Sequence, residues 1–309
     1  MTDRAEALAE IADIAIRNQL SADDIAKALQ DALTPQPARR SSGILARVLA
    51  YLGGIFVLAG VALFTGMQWD QLNSAARVLV TLGTGFAFYL FALATMADPR
   101  YMRATTPMLL IAALLQPTGI VVMLDEYARG GQPEHGLLFM CAVMFVQQFL
   151  TFLAKRRTVL LFFAIFFGAA GFGTLCNILD IDFEFTAFAL GIGLSCVAYA
   201  LDQTAHKAIT PFWYFSGAGF FLYGAFDLLN DTAFEIVYFG IAAGVMYLAT
   251  VVRSRTLLLV SVLALTGFTG YFFRDSLASA FGLILMGVLL IGLSALAMQL
   301  NQKYIQDGG

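Results

Sequence analysis

GMQWDQLNSAAR, residues 66–77, holds one acid (Asp70), one base (Arg77), a tryptophan (Trp69) and a short polar run. On each side lie about twenty residues almost free of charge, the length that crosses a hydrocarbon core as a helix. So short a polar island between two such walls is the turn between two membrane-spanning helices. Trp69 is placed like an interfacial anchor, half apolar and half wet. Asn73 or Ser74 can cap the returning helix. Arg77, a base at the start of a span, has three courses open: pairing with Asp70 across the turn, reaching the headgroups, or folding inward onto an acid of a neighbouring hairpin.

Outward from this turn the pattern repeats. The chain of 309 residues is 60% hydrophobic and 13% charged. Soluble chains are roughly 25% charged, so most of this one has no face suited to water. Ten apolar runs follow in order: 44–66, 76–96, 104–124, 136–154, 158–178, 185–201, 209–229, 233–251, 256–273 and 278–299. They are unbroken rather than alternating, which predicts helices and not barrel strands. The expected fold is all-α: a ten-helix transmembrane domain over 44–301, arranged as five hairpin repeats.

Lys and Arg set the expected orientation. Counted over alternate turns, one side holds twelve, from Arg39 and Arg40 through Lys155, Arg156 and Arg157 to Lys303; the other holds Arg77, Arg129 and Arg274. Such a bias places both termini of a multi-pass membrane protein in the cytoplasm. Acids gather on the opposite side, among them Asp70, Asp125, Glu126, Glu134, Asp180, Asp182 and Asp227. They form either a solvated rim or a mouth that attracts cations.

Two segments precede the spans. Residues 1–34 predict a cytoplasmic helical hairpin: Leu8, Ile11, Ala12 and Ala15 form one stripe, Ile25, Leu29 and Leu33 another, and Ser21 with Asp24 resembles a capping box. That stripe packs on itself, on a protein partner, on a second copy, or on the lipid surface. Residues 35–43 form a Pro-containing linker, and 302–309 a cytoplasmic tail. No apolar run suited to a cleaved signal opens the chain.

The second half carries an internal repeat. Gly171-Phe172, Gly219-Phe220 and Gly267-Phe268 stand 48 residues apart, each followed by an acid and then by Thr186-Ala187-Phe188, Thr232-Ala233-Phe234 or Ser279-Ala280-Phe281. Recurrent glycines such as Gly85, Gly168, Gly191 and Gly193 predict close helix approach.

Chemistry has few candidates. Cys141, Cys176 and Cys196 lie in apolar runs without a CxxC, and His135 and His206 are far apart, so neither metal nor cofactor is expected. No catalytic motif appears, and a net charge of -3 gives no nucleic-acid signature. No ionisable residue lies mid-span, which argues against a proton relay. The exception in the apolar interior is LLQPTG, residues 114–119. Pro117 removes a helical hydrogen bond, and Gln116, Thr118 and Gly119 surround it. This predicts a break that either kinks the packing or, with Gln147 of the next span, lines a solute pathway. The chain is expected not to be an enzyme. A small-solute transporter or channel leads, and a membrane scaffold or sensor using residues 1–34 is the alternative.

Residues 49–80 also resemble the core of an uncharacterised bacterial inner-membrane family, through Gly53, Gly60, Phe64, Trp69, Leu72 and Arg77. Gln68 stands where that family usually has Asn. The leader LSADDIAKALQDAL is similar too, and the resemblance covers roughly the first 95 residues. It implies a polytopic membrane protein and no particular mechanism.

Overall fold

The computed structural model describes residues 69–97, 102–128, 130–230, 232 and 234–272, with isolated positions toward both termini. The chain divides into two units, Met1–Gly66 and Met67–Gly309; the helices below belong to the second. The expected leader hairpin, linker and tail, and the first and tenth apolar runs, lie outside the described residues.

Among the described residues, eight helices follow a short 3-10 turn at Trp69–Gln71. They are α1 (Ser74–Thr95), α2 (Met102–Tyr127), α3 (Pro133–Lys155) and α4 (Thr158–Ile178). After them come α5 (Phe183–Asp202), α6 (Thr210–Leu229), α7 (Val237–Val251) and α8 (Arg255–Phe272). They correspond to the eight middle apolar runs. Six of the eight, all but α6 and α7, are long and apolar enough to cross a membrane. In α6 the glycines, the Trp213-Tyr214 pair and Asp227 dilute the apolar content. In α7 the predicted start at 233 is displaced to Val237, because residue 232 is a bend and residues 234–236 are spent on turns. The Thr232 hydroxyl donates to the Leu229 carbonyl at 2.6 Å and accepts from the Phe234 amide at 3.2 Å. At 1.5 Å per residue, the 15 residues of α7 span roughly 22 Å, short of a ~30 Å core.

The spans turn large apolar side chains outward. Phe91 on α1, Leu114 on α2, Leu150 on α3 and Leu259 on α8 are all exposed, which suits lipid and not water. Two turns between spans are very short. Arg156 ends α3 in the left-handed conformation (φ 53°), and its amide donates to the Phe152 carbonyl at 2.7 Å. Arg253 (φ 56°) plays the same part between α7 and α8, where the Ser254 amide reaches the Ala249 carbonyl at 3.0 Å. Such left-handed caps close the last carbonyls of a helix within one or two residues.

Packing corrects the expected hairpins. The predicted unit closes through the turn at 66–77 and its counterparts. Among the described residues, the extensive contacts instead join α1 with α2, α3 with α4, α5 with α6 and α7 with α8; the predicted partners of α1 and α8, the first and tenth runs, lie outside the described residues. The cause is where the small residues face. A Cβ added to Gly85 would meet the Gln116 amide nitrogen at 2.8 Å, and one on Gly119 the Leu82 Cα at 2.3 Å. Across α5 and α6, Gly191 faces Phe221, Gly217 faces Ser195 and Gly224 faces Phe188, each at under 3 Å from a backbone atom. Without a hydrophobic effect between helices in lipid, such close backbone contact is what draws them together. The repeated Gly-Phe dyads are not equivalent either. Gly171 packs on Cys141, while Gly219 and Gly267 face open space. Phe268 is buried, and Phe172 and Phe220 are exposed.

Candidate functional site

The first three helices are tied by a ladder of polar contacts. At the top, Arg77 folds inward. Its Nη1 donates to Glu126 Oε1 of α2 at 2.6 Å, its Nε donates to the Trp69 carbonyl at 3.1 Å, and its guanidinium lies 5.1 Å above the Trp69 ring. Glu126 Oε2 accepts from the Ser74 hydroxyl at 2.6 Å. The pair is partly withdrawn from solvent, with 22% of the Arg77 side chain and 7% of the Glu126 side chain exposed. Of the courses open to Arg77, the one across the turn to Asp70 is not taken; Asp70 is exposed. Asn73 caps α1 as its position predicts, accepting from the Ala76 amide at 2.8 Å.

Below this clamp α1 widens into a π stretch at Leu79–Gly83. Thr81 donates back to the Arg77 carbonyl at 2.8 Å. π-Bulges concentrate at functional sites, and this one sets Leu82 against Gly119. The predicted break at Pro117 does not occur: α2 runs unbroken through both Pro107 and Pro117. Proline removes one hydrogen bond, and the turns on both sides, held by α1 packed on Gly119 and Gln116, keep the helix continuous.

The LLQPTG residues therefore separate. Gln116, 2% exposed, points toward α3 and accepts from Gln147 Nε2 through its Oε1 at 3.1 Å. Thr118 is exposed on another face and donates to the Leu114 carbonyl at 3.0 Å. Gly119 serves contact with α1, and Pro117 lies at intermediate depth. One turn below the glutamine pair, the Thr151 hydroxyl donates to the Gln147 carbonyl at 2.7 Å and also meets the Tyr89 hydroxyl of α1. Near the other end of α1, Thr95 and Thr105 share a hydrogen bond of 3.0 Å.

Between these helices lies a cleft of about 660 Å³, lined by Leu79, Phe86, Gln116, Tyr127, Val143 and Gln147 among others. Its walls are apolar, no charged side chain lines it among the described residues, and the glutamine amides are its principal polar feature. Each side-chain amide has two donor hydrogens and an acceptor oxygen, so the Gln147–Gln116 bond leaves Gln116 Nε2 and Gln147 Oε1 for a further partner. Gln148, the next residue, is 1% exposed, and among the described residues neither its Nε2 nor its Oε1 has a hydrogen-bond partner.

Sequence reasoning named Gln116, Gln147, Trp69 and Arg77 but missed Glu126, Ser74, Tyr89 and Thr151 as their partners. Glu126 was legible only as one acid of the rim. The remaining candidates for chemistry stay apart. His206 shares a 2.9 Å hydrogen bond with Thr158 and packs edge-on to Phe152. Cys141 and Cys176 are buried, whereas Cys196 is exposed. Among the described residues, no group of three or more His, Cys, Asp or Glu side chains gathers to hold a metal.

No curated protein and no solved structure matches the chain. Residues 15–155, which hold α1, α2, α3 and every residue of the cleft, match the family described as "Predicted membrane protein (DUF2157)", and with six helices able to span the chain is a multi-pass membrane protein similar to that family over this stretch.

Proposed function

We propose that this protein carries a small, neutral, amphipathic solute across a bacterial inner membrane, with both termini in the cytoplasm and the α1–α2–α3 cleft as the solute site. The Gln116–Gln147 pair carries this reading. Side-chain amides are costly in a membrane interior unless partnered, and these two line a cavity with hydrogen-bonding capacity to spare. Apolar walls without a charged side chain suit a neutral solute with carbonyl, amide or hydroxyl groups over an ion. On the positive-inside reading, the Arg77–Glu126 clamp faces outward and braces the outer end of α1 against α2.

The test uses single cysteines in a protein whose Cys141, Cys176 and Cys196 are replaced by alanine. A small, membrane-impermeant thiol reagent is applied to both faces of membrane vesicles. Gln147→Cys and Val143→Cys are expected to react, and Thr118→Cys, on the lipid-facing side, is not. If neither 147 nor 143 reacts from either face, no aqueous path reaches the cleft and the carrier reading fails. The scaffold or sensor reading, in which the striped leader of residues 1–34 binds a protein partner, then takes its place.

A further inference from the structure

A second cavity, of about 650 Å³, opens along the side of the bundle between α4, α5 and α6, with the start of α3 at its rim. Its shape follows from the register of α5 and α6. The contacts of Gly191 with Phe221, Gly217 with Ser195 and Gly224 with Phe188 fix the two helices as antiparallel, one step back for each step forward. On that register Thr186 and Trp213, both lining the cavity, stand roughly 20 Å apart along the axis at 1.5 Å per residue. The cavity is therefore a long groove. Between its ends it is walled by Phe166, Ala169, Ala170, Leu190 and Leu194.

The two ends differ. Toward Thr186 the lining includes Asn177 and the half-buried Glu134. Thr186 is 6% exposed, and its hydroxyl has no hydrogen-bond partner among the described residues. That is unusual for a threonine in these helices. Thr81, Thr118, Thr151, Thr174 and Thr269 all donate to a backbone carbonyl four residues back. Leaving a buried hydroxyl unpaired is costly, so Thr186 points to an acceptor that the described residues do not supply. At the far end the Trp213 indole, 2% exposed, also lacks a partner; it lies beyond the head end and plays no part in head recognition.

We propose that this groove binds one phospholipid bearing a primary ammonium head. The ammonium pairs with Glu134, a phosphate or ester oxygen accepts from Thr186 with Asn177 beside it, and one acyl chain lies along Ala169, Ala170, Leu190 and Leu194 toward Trp213. The carboxylate selects the amine over an anionic or uncharged head. The apolar middle and the open side admit a chain directly from the bilayer.

Trp213 and Trp69 are the two tryptophans of the chain, which supplies the readout. The full-length Trp69→Phe protein is reconstituted in phosphatidylcholine vesicles containing a minor fraction of chain-brominated phosphatidylethanolamine or chain-brominated phosphatidylglycerol. Bromine on a chain in the groove quenches Trp213. Half-maximal quenching is expected at a several-fold lower mole fraction of the ethanolamine lipid. That preference is expected to vanish in Glu134→Gln and in Thr186→Val and to return in Thr186→Ser, which keeps the hydroxyl and controls for misfolding. Equal quenching by both lipids, or a preference unmoved by Glu134→Gln, overturns the proposal. Absence of quenching by either lipid overturns it too, because no acyl chain then lies beside Trp213.

Discussion

Gly119 and Leu82 meet backbone to backbone: a Cβ on the glycine would lie 2.3 Å from the Leu82 Cα and 2.4 Å from its nitrogen. Neither atom belongs to a side chain that can move aside. Gly119→Ala is therefore expected to push α1 off α2 and to destabilise the fold by about 1–3 kcal/mol, the usual cost of overpacking. Gly173→Ala, where nothing lies within 4 Å, is the matched control and is expected to be silent. Thermal denaturation in detergent, followed by tryptophan emission, distinguishes them.

The clamp at the top of the same helix pair depends on sign as well as contact. Glu126→Gln and Arg77→Gln each remove one member of a partly buried ion pair. Each is expected to cost about 1–3 kcal/mol, less than the 3–5 kcal/mol of a fully buried pair because Arg77 retains some exposure. Expression level and melting temperature of the single variants and of the double variant form a cycle. A double variant less costly than the sum of the two singles shows that the residues act through each other; strict additivity contradicts the pairing.

Gln148 makes the opposite prediction. Its buried amide has no partner at either atom among the described residues, so Gln148→Leu removes a desolvation penalty of about 1–3 kcal/mol at little cost in shape. The variant is expected to melt higher than the parent. A lower melting temperature means that the amide has a partner and that its burial is not a cost.

Lower on the ladder, Tyr89→Phe deletes the hydroxyl that meets Thr151. Interhelical hydrogen bonds within membranes average about 0.6 kcal/mol and rarely exceed 1.7. A small drop in melting temperature is expected, well below that of Gly119→Ala. Thr151→Val is expected to cost more than Tyr89→Phe, since Thr151 also donates to the Gln147 carbonyl beside the cleft.

The helices themselves were plain in the sequence. Runs such as 158–178, free of charge from end to end, return as α4 with the same limits. Pairing was not plain, for a physical reason. A helix apolar all round carries no stripe to say which way it faces, so the facing of Gly85, Gly119 and Gly191 had to come from packing. Polar residues at span ends gave more. Arg77 announced itself as a base out of place, and its inward course was among those considered, but which acid receives it depends on the depth of Glu126 relative to Ser74. The proline was over-read: Pro117 suggests a break, yet one missing hydrogen bond does not interrupt a helix held on both sides. The glutamines were half legible. Gln147 reads as lying nearer the opposite surface. With Gln116 11 residues before the end of α2 and Gln147 14 after the start of α3, however, both lie roughly 16–21 Å from their shared turn, near enough in depth to meet.

The account rests on consecutive helices crossing the membrane in alternate directions, and side-specific labelling of single cysteines in the turns tests that directly. Asn73, Gly131 and Asp182 lie in one set of turns; Arg157, Gln203 and Ser254 lie in the other. In sealed, oriented membrane vesicles lacking the native cysteines, an impermeant thiol reagent is expected to reach the first three from one face and the last three from the other. Asn73→Cys and Arg157→Cys labelled from the same face would contradict it, as would Gln203→Cys and Ser254→Cys labelled from opposite faces.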